Sequence, residues 1–333
     1  MKNLYKITFT MSMIAGTMIT ISATSWISMW IGLEINLLSI IPLMSTINNK
    51  MESEAAMKYF ITQALASTIL MFSIISTLNF DHNPSNPSWM LMNIAILTKM
   101  GAAPFHFWFP EVMEGLSWTN STIMLTWQKI APMVMFMNTQ KTTSLIITIL
   151  IASMMISGLM GINQTSLRKI LAYSSINHIG WMIGAMQTNQ TLWITYLTVY
   201  SLMTINLTLM FKINNIFNIS QLINFINQKK MMKIMFSLNF LSLGGLPPFI
   251  GFFPKWITIM SMINLNMFAL TFIMIISTLM TLFIYMRITL TSLTITTAEI
   301  NKMENSKPNS NLMILNFIVL ASLSLMTLQI SFI

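Results

Sequence analysis

The chain has 333 residues, of which 55% are hydrophobic and only 8% are charged. A soluble domain carries about 25% charged residues, so this balance places the chain among membrane proteins. Cysteine is absent, which excludes thiolate-held iron–sulfur clusters, zinc–thiolate sites and disulfides within the chain. Only His82, His106 and His178 remain as ring ligands, a poor basis for a haem, so no redox centre is expected here. The 36 methionines fit irregular gaps between helices and the base composition of the encoding gene; they mark no site.

From the N-terminus, Met1-Lys2-Asn3 leads almost directly into an apolar stretch, with no expected cleavable leader. Stretches long enough to cross a ~30 Å hydrocarbon core as helices then recur. They are placed at 4–22, 25–45, 57–79, 89–109, 119–137, 143–163, 168–187, 190–212, 233–262, 266–288 and 311–332. The expected fold is therefore an all-α integral membrane protein of about 11 transmembrane helices. A turn cluster at Asn79–Pro87 and a polar loop at Asn301–Asn311 separate spans, and Phe217–Phe225 reads as an amphipathic piece at the interface. The ~10-residue alternation of a transmembrane barrel is not seen.

The basic residues test this topology. With the N-terminus inside, the loop lysines and arginines fall on the inner side except Lys141, while Lys99, Lys129 and Lys255 remain within spans. Such Lys/Arg bias sets orientation in a bilayer, and a missed helix would scramble it. The net charge of +9 is thus mostly topological, and nucleic acid is not an expected partner.

An internal repeat is visible. Gly101-x-x-Pro104-Phe105-x-x-x-Phe109-Pro110-Glu111 matches Gly245-x-x-Pro248-Phe249-x-x-x-Phe253-Pro254-Lys255 at a constant offset of 144 residues, which also sets Glu34 on His178. Two five-helix units are expected, at 1–137 and 143–291, with a C-terminal helix at 310–333. An odd helix count per unit makes the second copy inverted, an arrangement used by transporters with broken helices at the midplane. Proline removes a backbone donor and glycine relaxes the chain, so Gly101, Pro104, Gly245, Pro247 and Pro248 are expected to interrupt their helices. The freed backbone groups are tolerated only if buried in protein or facing a hydrated cavity. Ordinary proline kinks are the bland alternative, weakened by the identical spacing of the two.

Glu34, Lys99, Lys129 and Lys255 lie within apolar stretches. Each costs at least ~2.5–3.5 kcal/mol at a helix centre, so a use is expected. Burial and neighbouring charge can tune such groups to exchange protons, and joined by water they form a relay. A structural ion pair of Glu34 with Lys99 accounts for two of them, but no further intramembrane acid is left for Lys129 and Lys255. His178, in Tyr173-Ser-Ser-Ile-Asn-His178, is a packing histidine or a relay member; His106, Glu111 and Glu114 read as less central, and His82 as loop.

Five stretches together carry a resemblance: Trp30-Ile-Gly-Leu-Glu34, Lys99-Met-Gly-Ala-Ala-Pro-Phe-His-Phe-Trp108, Trp127-Gln-Lys129-Ile-Ala-Pro, Asn163-Gln-Thr-Ser-Leu-Arg-Lys-Ile-Leu-Ala-Tyr-Ser-Ser-Ile-Asn-His178, and Leu241-Ser-Leu-Gly-Gly-Leu-Pro-Pro-Phe-x-Gly-Phe-x-Pro-Lys255. In this order they resemble the subunit 2 family of mitochondrial NADH dehydrogenase (ubiquinone), antiporter-like membrane subunits of respiratory complex I, in a short, Met-rich, insect-like form. The resemblance covers essentially the whole chain, dense over 26–45, 97–132, 163–184 and 239–256 and thin in 189–232 and after 258. It implies a proton path in which Glu34 and Lys99 form a regulating pair, Lys129 is the central carrier and Lys255 ends the half-channel. It also implies that NADH, FMN, iron–sulfur clusters and ubiquinone bind other subunits, with none held by this chain. Other complex I membrane subunits and phospholipids are the implied partners, in the mitochondrial inner membrane with the N-terminus on the matrix side. Bacterial members carry three further N-terminal helices that this chain lacks, leaving a flank for lipid or another subunit. A stand-alone cation/proton antiporter and a purely structural subunit are the rival readings.

Overall fold

A computed structural model describes residues 2–45, 49–79, 87–139, 143–228 and 230–294, together with Asn316. Apart from Asn316, the predicted C-terminal span at 311–332 lies outside the described residues, as do the loops around His82 and Lys141 and the polar loop at 301–311. Apart from an isolated bridge between Ser166 and Asn218, the described residues form helices and their connections. They divide between Ser153 and Met154 into two compact units.

The first unit begins with α1 (Lys2–Ser22), α2 (Trp26–Met44) and α3 (Lys50–Asn79). α1 and α2 pack closely because Gly16 and Gly32 meet at their crossing. A Cβ on Gly32 would stand 2.8 Å from the Gly16 carbonyl oxygen and 2.9 Å from the Thr20 nitrogen, the small-residue contact by which helices associate in lipid. Trp30 Nε1 donates to the Ser67 carbonyl at 3.3 Å and ties α2 to α3. Leu38, Leu65 and Phe72 face outward, exposed on the isolated chain as lipid-facing side chains are.

Two interrupted segments follow. α4 (Pro87–Met100) stops at Gly101 and the chain resumes as α5 (Trp108–Gly115). α6 (Trp118–Leu125) passes through a 3₁₀ turn at Trp127–Lys129 into α7 (Ile130–Asn138). The sequence reads 119–137 as one continuous helix, and the structure breaks it. Pro132 supplies the reason: it has no amide to donate, and its ring clashes with the carbonyl four residues back, at Gln128.

α8 (Thr143–Ile162) leads into the second unit, which holds α9 (Leu167–Thr188), α10 (Gln190–Asn214), α11 (Ile219–Gln228), α12 (Lys230–Gly244), α13 (Phe252–Asn264) and α14 (Phe268–Thr294). α11 corresponds to the predicted interfacial piece, shifted toward its C-terminus. α9 carries too many polar residues to face lipid, and its residues from Ile170 to Met186 are buried by protein. Among the described residues, six helices are long and apolar enough to cross a membrane: Leu4–Ser22, Trp26–Met44, Lys50–Leu78, Ser144–Ile162, Gln190–Asn214 and Phe268–Thr291.

Candidate functional site

The two glycine–proline breaks are built alike. At the first, the Gly101 amide donates to the Thr98 carbonyl at 3.1 Å and the Ala102 amide to the Leu97 carbonyl at 3.1 Å. At the second, the Gly245 amide donates to the Ser242 carbonyl at 3.0 Å and the Leu246 amide to the Leu241 carbonyl at 3.4 Å. Both are Schellman closures, which need a left-handed residue just past the helix, and Gly101 (φ 73°) and Gly245 (φ 79°) provide it. Phe105 to Ala102 and Phe249 to Leu246 repeat the likeness one step further on. The equivalence inferred from sequence spacing is thus present in backbone hydrogen bonding.

Carbonyls at these breaks find further partners inside the protein. Trp108 Nε1 donates to the Thr98 carbonyl at 3.1 Å, and Gln63 Nε2 to the Lys99 carbonyl at 3.4 Å. At the second break the partner is a charged residue: Lys255 Nζ donates to the Gly244 carbonyl at 2.8 Å. The lysine folds back over Gly245, where a Cβ would stand 2.8 Å from Nζ. Its ammonium caps the C-terminal end of α12, where the helix dipole favours a cation. The sequence had left Lys255 without an acid; its partner is the peptide backbone.

In the first unit the charges converge. Lys99, in the last turn of α4, places Nζ 3.2 Å from Glu34 Oε1 on α2, with side-chain exposures of 3% and 24%. Lys129 sits on the 3₁₀ turn, 3% exposed, its ammonium 5.8 Å from the centre of the Phe109 ring. Lys99 and Lys129 line the same cavity of about 20 Å³, room for a single water molecule. Asn36, Tyr59, Gln63 and Gln128 complete its polar wall. Gln128 Nε2 donates to Asn36 Oδ1 at 2.9 Å, and Tyr59 Oη donates to Gln128 Oε1 at 3.4 Å. Sequence reading missed these four uncharged groups. A paired lysine, a second lysine and a water-sized polar gap between them can pass a proton.

In the second unit His178 is 3% exposed and shares a hydrogen bond of 2.8 Å between Nδ1 and Tyr196 Oη. Lys255 lies in the same unit on α13. His106 is held within the first break, Nδ1 at 3.2 Å from the Pro104 carbonyl. Glu111, equivalent to Lys255 in the repeat, instead pairs at 3.0 Å with Lys58, which also bonds Glu54 on an exposed surface. Among the described residues no group of three or more His, Asp and Glu side chains gathers that could hold a metal ion.

Interrupted helices with charges buried beside them define a class of ion-translocating membrane protein, and comparison with known proteins agrees. Residues 23–281 match the transmembrane family described as NADH:quinone oxidoreductase/Mrp antiporter. NADH-ubiquinone oxidoreductase chain 2 of Aedes aegypti is 46% identical and that of Anopheles gambiae 43% identical, each alignment covering 98% of both chains. The sheep protein of that name is 41% identical over 84% of this chain and 83% of its own. Among solved structures, a chain of Thermus thermophilus respiratory complex I with bound aureothin matches with a TM-score of 0.83 at 21% identity, over 96% of this chain and 77% of that one. A chain of the Mrp complex from Dietzia sp. matches with a TM-score of 0.73 at 17% identity, over 84% of this chain and 59% of that one. The chain belongs to the NADH-ubiquinone oxidoreductase chain 2 family.

Proposed function

We propose that this chain carries protons through the membrane as an antiporter-like subunit of NADH:ubiquinone oxidoreductase, along a relay of Glu34, Lys99, Lys129, His178 and Lys255. The observation that carries the reading is the shared cavity of Lys99 and Lys129 beside the Glu34 pair. Two buried lysines repel when both are charged, so protonation of one disfavours protonation of the other. While Glu34 stays close, it stabilises the ammonium of Lys99. When a signal from electron transfer separates them, Lys99 loses that partner and the proton affinity of its neighbour Lys129 changes with it. A proton then leaves Lys129 for the second unit, where His178 and Lys255 are the next exchangeable groups.

The protein works in the mitochondrial inner membrane among other membrane subunits and phospholipid, crossing it about eleven times with its N-terminus on the matrix side. Its two five-helix units are inverted copies. NADH, FMN, iron–sulfur clusters and ubiquinone are the business of neighbouring subunits, whose redox steps drive this one.

Lys129→Met tests the path in the intact complex reconstituted into liposomes. Methionine fills a similar volume without the exchangeable proton, so assembly is expected to hold and protons pumped per electron to fall. An unchanged ratio removes Lys129 from the route.

A further inference from the structure

Three of the tyrosines buried in the second unit reach the helix face that carries His178. Tyr196 and Tyr200 come from α10 and Tyr285 from α14; each is 3% exposed or less. Tyr196 Oη lies 2.8 Å from His178 Nδ1. The Tyr200 ring sits 4.8 Å from the imidazole, tilted by 43°, and its hydroxyl lies beside Ser175. The Tyr285 hydroxyl lies beside Ser174. Ser174 and Ser175 precede His178 by four and three residues, so all three project from one face of α9. Tyr285 also reaches the second break, since a Cβ on Gly244 would meet its ring at 3.4 Å, and the Gly244 carbonyl is the group that holds Lys255.

We propose that Tyr196 is a proton-carrying partner of His178, the first member of a tyrosine hydroxyl relay running from His178 toward Lys255. The proposal rests on the reading that His178 belongs to the proton path. A phenol both donates and accepts, so it passes a proton without itself becoming charged. That matters at membrane depth, where each added charge is costly. The imidazolium gives its Nδ1 proton to Tyr196 Oη. Tyr196 releases its own hydroxyl proton to the next oxygen, that of Tyr200 or Tyr285 or of a water between them. One proton moves, the imidazole ends neutral, and the tyrosine is neutral before and after. Buried tyrosines also act simply as interhelical hydrogen-bonding glue, which is the competing role. Glue needs no titrating partner, and Tyr196 has one.

Tyr196→Phe in the intact reconstituted complex removes one oxygen and keeps the ring. A positioned proton-transfer group contributes about 10²–10⁴-fold to the step it serves, so protons pumped per electron are expected to drop to the level of the Lys129→Met complex. A second measurement covers a loss of assembly: difluorotyrosine at position 196 keeps ring and hydroxyl but binds its proton less tightly. It is expected to change the deuterium solvent isotope effect on pumping, which a packing role would leave unmoved. A normal ratio in Tyr196→Phe with a lowered one in Lys129→Met overturns the tyrosine relay alone, as does an unaltered isotope effect. Normal ratios in both variants overturn the lysine path and this inference with it.

Discussion

Gly251→Ala is expected to abolish most of the assembled complex, although it adds a single methyl group. Gly251 has φ −64°, so the constraint is space and not backbone conformation. A Cβ there would collide with the Ser242 carbonyl oxygen and stand 2.9 Å from its carbon. Overpacking against yielding side chains costs about 1–3 kcal/mol, and a backbone carbonyl engaged in a helix closure yields far less. The Ser242 carbonyl already accepts the Gly245 amide, so moving it opens the turn that brings Lys255 to the end of α12. The start of α13 is therefore pushed off α12, and the lysine loses its carbonyl. Gly244→Ala is the matched control. Its new Cβ would meet Tyr285 at 3.4 Å, an ordinary contact, and it lies within the last turn of α12. Native-gel quantitation of intact complex should show a severalfold loss for Gly251→Ala and near-normal amounts for Gly244→Ala.

Glu34→Gln should separate an ion pair that holds helices together from one that governs proton movement. Lys99 is almost wholly enclosed, and removing its carboxylate leaves an ammonium without a counter-charge. Breaking a buried pair costs about 3–5 kcal/mol; the 24% exposure of Glu34 sets the expected loss near the lower end, about 3 kcal/mol. Adding Lys99→Met removes the stranded charge, so thermal stability of the double variant should return most of the way. Proton pumping should not return with it. Recovery of both stability and pumping would identify the pair as structural.

What could be read from the sequence follows from how local each signal is. The breaks at Gly101–Pro104 and Gly245–Pro248 were legible because the residues that interrupt the helix are themselves the signal, repeated at one spacing. The meeting of Glu34 with Lys99 was legible by scarcity: an acid in an apolar span has few bases to find. The break ahead of Lys129 was not read because Thr126–Lys129 contains neither glycine nor proline; its cause lies three residues further on, at Pro132. Asn36, Gln63 and Gln128 escaped notice because uncharged polar residues are scattered along many helices here, and only their convergence from α2, α3 and the 3₁₀ turn makes them a cavity wall. The partner of Lys255 was not legible because a backbone carbonyl has no letter in the sequence. Tyr196 stands 18 positions from His178 on another helix, and no local pattern joins them.

The relay of buried charges is tested most directly by the number of protons pumped per electron in a reconstituted complex carrying both Lys99→Met and Lys129→Met. Both substitutions keep side-chain volume and remove a buried charge, so the complex should assemble and should oxidise NADH when the membrane is uncoupled. The expected result is a proton-to-electron ratio below that of the unaltered complex by the full share this chain conducts. A ratio equal to that of the unaltered complex, in particles that contain the chain, would contradict the account.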